Sequence, residues 1–137
     1  MAILIDTSFL VAVASIRDVN HLIARQTMRN LKSGAIIPAP VLPEMFYMLT
    51  TRVGYTTAVK MFRLVRSTTF QISPLSDADM NRMEAIMLQY ADNQFDYVDT
   101  AIMALSESLK IEDIYTFDRR DFTTFRPLHR PYLRLLP

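Results

Sequence analysis

The sequence predicts an α/β layered domain with a mostly parallel central sheet of four or five short strands flanked by helices. Three observations predict it. Short all-apolar runs recur along the chain, and such runs suit strands buried on both faces. Longer segments with helical apolar spacing alternate with them. The length, 137 residues, suits one compact α/β domain with one core, so residues 1–137 are read as a single domain.

Each element follows in order. Ala2-Ile3-Leu4-Ile5 is the first strand. Asp6, Thr7 and Ser8 are all helix N-cap types, and an apolar helical segment runs on from Phe9 to Ala14. A second helix is expected from about Asp18 to Lys32, with Leu22, Ile23, Met28 and Leu31 as its apolar members and Gly34 ending it. Ala35-Ile36-Ile37 is the second strand, closed by Pro38. The third helix covers roughly Val41 to Val53, with Leu42, Met45, Phe46, Leu49 and Val53 on one face. Gly54 breaks it, and Tyr55 to Ser67 form a fourth helix with Val59, Phe62 and Val65 around its face. Phe70-Gln71-Ile72 is a third strand. Ser76 caps a fifth helix, Asp77 to Tyr90, and a sixth runs from about Tyr97 to Leu109. Ile114-Tyr115-Thr116-Phe117 is a fourth strand, with a last short strand at Tyr132 to Leu136.

Composition narrows the chemistry. Half the residues are apolar and 21% are charged, as in an ordinary soluble globule and unlike a disordered chain. Fifteen basic residues against 14 acidic neither support nor exclude RNA as a partner, because a nuclease site holds cations and therefore carries carboxylates. Cysteine is absent, which excludes disulfides, thiolate metal sites and cysteine nucleophiles, and fits a cytoplasmic protein. Two histidines, His21 and His129, argue against a histidine-rich zinc site. The apolar run from Phe9 to Ile16 is too short to span a bilayer, and Asp6 with no Lys or Arg before it argues against a signal peptide. No membrane association is expected. Two glycines cannot build a glycine-rich phosphate loop.

The acids carry the functional signal. Ligands of open parallel sheets bind beyond the carboxyl ends of strands. Two strands run into an aspartate there, Ile5 into Asp6 and Phe117 into Asp118. If those strands are neighbours, both carboxylates stand on one rim, where they repel and raise each other's proton affinity. A divalent cation removes that penalty, and hard oxygen donors point to Mg2+ or Mn2+ over zinc. Two more acids can join them. Glu44 points roughly opposite the apolar stripe of its helix, and Asp99 sits in the first turn of the sixth helix at the border of its stripe. Asp96 lies one turn earlier or at the cap. Each acid also has a plainer reading. Helix dipoles favour acids near N-termini, Asp6 and Asp118 can serve as caps or turn residues, and Asp121 can pair with Arg119 or Arg120 in a loop.

Four stretches together resemble the PIN-domain ribonuclease family, most like the VapC-type toxins. They are Ile3-Leu4-Ile5-Asp6-Thr7-Ser8-Phe9-Leu10-Val11-Ala12, Val41-Leu42-Pro43-Glu44-Met45, Phe95-Asp96-Tyr97-Val98-Asp99-Thr100-Ala101-Ile102-Met103-Ala104-Leu105, and Thr116-Phe117-Asp118-Arg119-Arg120-Asp121-Phe122. The resemblance implies a three-layer fold, a central parallel sheet with helices on both sides. It implies a Mg2+-dependent endoribonuclease whose acidic quartet is Asp6, Glu44, Asp99 and Asp118, binding one or two ions, with Asp6 and Asp99 the firmest ligands. Thr7, Ser8 and Thr116 fall where the family places hydroxyls that orient water or phosphate, and they read equally as caps or strand residues. His21 is read as a packing or rim residue. Arg17, Arg52, Lys60, Arg63, Arg66, Arg119 and Arg120 are candidate phosphate contacts, each of which also reads as an ordinary solvated charge. The implied partners are an RNA substrate, a cognate antitoxin and a second copy in a homodimer. Two alternatives stay open: a nuclease of RNA processing or decay without an antitoxin, and a catalytically silent interaction module. A phosphatase with Asp6 as nucleophile is disfavoured, because Ser8 stands where its Asp-x-Asp pattern needs the second acid.

Overall fold

A computed structural model describes residues 2–32, 34–67 and 69–137. Five strands form one sheet: β1 (Ile3–Ile5), β2 (Ala35–Pro38), β3 (Phe70–Ser73), β4 (Asp113–Tyr115) and β5 (Arg134–Leu136). Their order is β3-β2-β1-β4-β5, and every pairing is parallel. Leu4 sits opposite Ile36 on one side and Ile114 on the other. The first strand of the chain is thus the central one, covered on both faces, which is why its residues are uniformly apolar.

Helices α1 (Thr7–Ala14), α2 (His21–Asn30), α3 (Val41–Arg52) and α4 (Tyr55–Val65) form one packed group. Helices α5 (Asp77–Gln89), α6 (Tyr97–Ser108) and α7 (Arg120–Thr124) form another. With the sheet they make a three-layer α/β arrangement. α6 is buried along nearly its whole length, from Val98 to Glu107. It is tied to α5 by the Arg82 guanidinium, which donates to both oxygens of Glu107 at 2.6 and 3.1 Å. Ser76 and Asp79 form a reciprocal capping box at the start of α5.

The structure departs from the sequence-based expectations in several places. α2 begins at His21 rather than Asp18 and ends at Asn30, and it buries only Ala24. Leu22 and Ile23, two of its apolar members, are exposed, because α2 meets its neighbour through its small residue Ala24. His21 fixes the junction instead: Ala12 O can only accept, so the 2.8 Å contact makes His21 Nδ1 the donor. Val53, Val59 and Phe62 are likewise exposed, and α4 packs inward through Ala58, Met61 and Val65. β4 spans Asp113–Tyr115, so Thr116 and Phe117 lie past its end. Asp121 lies in the first turn of α7, a helix the sequence reading took for a loop, and no salt bridge joins it to Arg119 or Arg120 among the described residues. Asp113 receives a bidentate pair from Arg134, at 2.7 and 2.8 Å, which fastens β5 to β4.

Candidate active site

The central position of β1 and its pairing with β4 place two carboxyl strand ends side by side. Asp6 N donates to Tyr115 O at 3.0 Å, one step beyond the strand ladder. Asp6 then caps α1, with Oδ1 accepting from Thr7 N at 2.8 Å. Its other oxygen, Oδ2, accepts from Thr116 Oγ1 at 2.7 Å and Ser8 Oγ at 2.9 Å. Those two hydroxyls lie 3.1 Å apart. Each accepts a backbone N–H from the turn after β4: Phe117 N to Ser8 Oγ at 2.9 Å, and Asp118 N to Thr116 Oγ1 at 3.1 Å. The network ties the β1–α1 junction to the turn that carries Asp118. It also fixes the rotamer of the Asp6 carboxylate.

The cleft at this junction holds about 210 Å³ and is lined by Asp6, Thr7, Ser8, Glu44, Met48, Asp96, Asp99 and Asp118. All four members of the expected quartet meet there. Asp96 caps α6, accepting from Asp99 N at 2.8 Å, and so turns the first helical turn toward the cleft. Thr116 lies behind Asp6 as its donor, and Asp121 stands back from the lining. Met48 went unnoticed in the sequence, since a methionine one turn after Glu44 reads as ordinary core.

Electrostatics set this cleft apart. Asp6 is 3% exposed and Asp99 6% exposed. Burial pushes the Asp6 carboxyl up to about 6, against the lowering effect of its Thr116, Ser8 and Thr7 donors. Burial pushes Asp99 further, to about 9, and the charges of Asp6, Asp96, Asp118 and Asp121 add to the shift. Among the described residues no Lys, Arg or His lines the cleft. Arg66 instead lies over the Phe62 ring, and Arg119 donates to Pro137 O. The Thr7 hydroxyl is buried without a partner among the described residues.

These residues fit a hard divalent cation. The donors are carboxylates with a spare hydroxyl nearby, and positive charge is what would allow Asp6 and Asp99 to ionise together. Among the described residues no three acids close into a ready-made cage.

The chain is similar in sequence and fold to several known proteins. The curated relative Ribonuclease VapC26 of Mycobacterium tuberculosis is 23% identical over 134 residues, covering 98% of this chain and 99% of that protein. The crystal structure of M. tuberculosis VapC20, a sarcin–ricin-loop-cleaving toxin, matches with a TM-score of 0.84 at 21% identity, over 94% of this chain and 98% of that one. A toxin–antitoxin complex from Klebsiella pneumoniae matches with a TM-score of 0.70 at 20% identity, over 97% of this chain and 100% of that one. The family model of the PIN domain matches residues 3–126, nearly the whole chain, and the chain therefore belongs to the PIN-domain family.

Proposed function

We propose that this chain is a Mg2+-dependent endoribonuclease, with Mn2+ as the alternative ion, and the toxin half of a toxin–antitoxin pair acting in the cytoplasm. The observation that carries the reading is the convergence of two buried carboxyls of raised proton affinity, Asp6 and Asp99, with Glu44 and Asp118 in a cleft that no cation lines among the described residues. A relative of similar length is a ribonuclease, and solved relatives include a toxin that cleaves the sarcin–ricin loop and a toxin–antitoxin complex.

Asp6 and Asp99 would hold the ion, with Glu44 and Asp118 flanking. A bound divalent cation supplies an acidified water and stabilises charge on a leaving oxygen. The chain's own residues supply position. Ser8 and Thr116 hold the Asp6 carboxylate in one orientation, and Asp96 holds the α6 turn that bears Asp99. The buried Asp6–Asp99 side of the cleft is shielded from bulk water, while the exposed Asp118 marks its mouth.

An apolar groove of about 470 Å³, formed by Leu42, Pro43, Phe46, Tyr47, Thr50 and Phe62, adjoins Glu44 on α3. It supports docking of an antitoxin peptide next to the acids. The homodimer implied by the resemblance is open to sedimentation analysis.

The test is expression of wild type and Asp6→Asn, with sequencing of newly formed RNA ends. The amide keeps the shape of the side chain and removes its charge. Growth arrest with defined cuts in wild type, both lost in the variant, is the expected result. Identical cuts in both strains would sink the assignment.

A further inference from the structure

The net charge of +1 conceals a strong asymmetry. Residues 1–67 hold eight Lys and Arg against three acids, while residues 68–137 hold seven against eleven. Two of the three acids in the first part, Asp6 and Glu44, line the cleft. The third, Asp18, accepts from Asn20 N at 2.8 Å. Outside the cleft, the α1–α4 layer is therefore almost purely basic.

Part of that charge borders a groove. Two adjoining hollows of about 380 and 290 Å³ share Ala14 and Thr57 in their walls. Arg25 and Lys60 line the first, and Arg17 and Arg52 line the second, with no acid in either wall. All four cations are exposed, and none forms a salt bridge among the described residues. Compensation of a helix dipole accounts for Arg52, in the last turn of α3. It does not account for Arg25 or Lys60, which lie in the middle of α2 and α4.

The groove and the cleft are the two ends of the same helices. On α1, Thr7 and Ser8 line the cleft and Ala14 lines the groove. On α3, Glu44 and Met48 line the cleft and Arg52 lines the groove. The spacing of four residues puts Glu44, Met48 and Arg52 on one slowly turning stripe. From Glu44 to Arg52 the helix rises about 12 Å, a span of a few nucleotides. A polyanionic strand gains nothing from a cleft lined by five acids and, among the described residues, no cation, so attraction has to come from beside it.

We propose that Arg17, Arg25, Arg52 and Lys60 form a phosphate-binding tract for single-stranded RNA whose scissile bond lies in the acidic cleft. This rests on the ribonuclease reading. The tract binds backbone, not bases, so it sets affinity and KM without setting the cleavage sequence.

The test compares wild type, Arg17→Gln/Arg52→Gln/Lys60→Gln, and the charge-keeping Arg17→Lys/Arg52→Lys/Lys60→Arg. Anisotropy of a fluorescein-labelled single-stranded RNA, long enough to span cleft and groove, is read in chelator across a salt series. In the neutralised variant the Kd should weaken roughly 10-fold or more, and the slope of log Kd on log salt should fall by about 2, from three lost charges at ~0.7 each. The charge-keeping variant should stay near wild type, which separates charge from folding. With Mn2+, hydrolysis of bis(p-nitrophenyl) phosphate, which reaches only the cleft, should be unchanged, while KM for the RNA rises. Equal Kd and slope in all three proteins would overturn the tract. Intact RNA binding with lost binding of polyglutamate would overturn it in favour of an acidic protein partner. RNA binding with the expected slopes but no cleavage of either substrate by wild type would leave the tract standing and remove the nuclease reading.

Discussion

Among the described residues, Asp99 is a carboxyl pushed far above its ordinary value by burial and neighbouring acids. Its folded-state proton affinity lies near 9, against an ordinary value of 3.8, so the folded protein holds that proton more tightly than the unfolded chain. The stabilising contribution is therefore fully present below about pH 4 and is lost as pH rises toward 9 in the metal-free protein. Asp6 behaves likewise over a narrower window, ending near pH 6. Asp99→Asn should consequently stabilise the chelated protein at pH 8 by on the order of 2 kcal/mol, or roughly 5 °C in Tm. The advantage should shrink to nothing near pH 4, and Mg2+ affinity by calorimetry should fall in the same variant. A chelated variant that melts below wild type at pH 8 would show that Asp99 is a structural carboxylate. The convergence of Asp6, Glu44, Asp99 and Asp118 was legible in the sequence because strand ends and first helical turns are predictable places. The donors to Asp6 were less so. Ser8 and Thr116 are 108 residues apart, and a hydroxyl in a strand-like run looks like any other until the turn after β4 is known.

At the level of elements, the alternation of strand and helix was readable because the strands are short apolar runs and the helices have capping residues such as Ser76 and Asp96. α7 was not, since five residues are too few to show a helical period. Which apolar residues of α2 and α4 turn inward was not readable for another reason. Periodicity marks an apolar face but does not tell whether a partner covers it, and Leu22, Val59 and Phe62 are left uncovered. Gly54 joins α3 to α4 at φ 150 and ψ 158, a conformation open essentially to glycine alone. A Cβ there would meet nothing within 4 Å, so the cost of Gly54→Ala is backbone strain without a clash. The variant should lose about 1–3 kcal/mol and melt several degrees lower. Scanning calorimetry giving an unchanged Tm would mean that the α3–α4 junction relaxes freely.

For the molecule as a whole, the family assignment was within reach of the sequence because four motifs fall in order over most of the chain. The charge layout was not, because a balanced total hides a basic helical layer beside an acidic cleft. Folding and ion binding should be coupled through that cleft. Mg2+ at tenfold over its Kd should add ~1.4 kcal/mol to stability. The increment should grow as pH rises from 6 toward 9, because the ion displaces the protons held by Asp6 and Asp99. Thermal melts with Mg2+ and with chelator, across that range, check it; an increment independent of pH would place the ion elsewhere.

The parallel order β3-β2-β1-β4-β5 has a consequence for synthesis on the ribosome. Asp6 leaves the exit tunnel early, yet its donor Thr116 follows 110 residues later. A nascent chain of the first hundred residues already carries Asp6, Glu44 and Asp99 but lacks the strand that turns Asp6 into place. The hydrogen-bond network that orients Asp6 is therefore completed only after the turn beyond β4 has been synthesised.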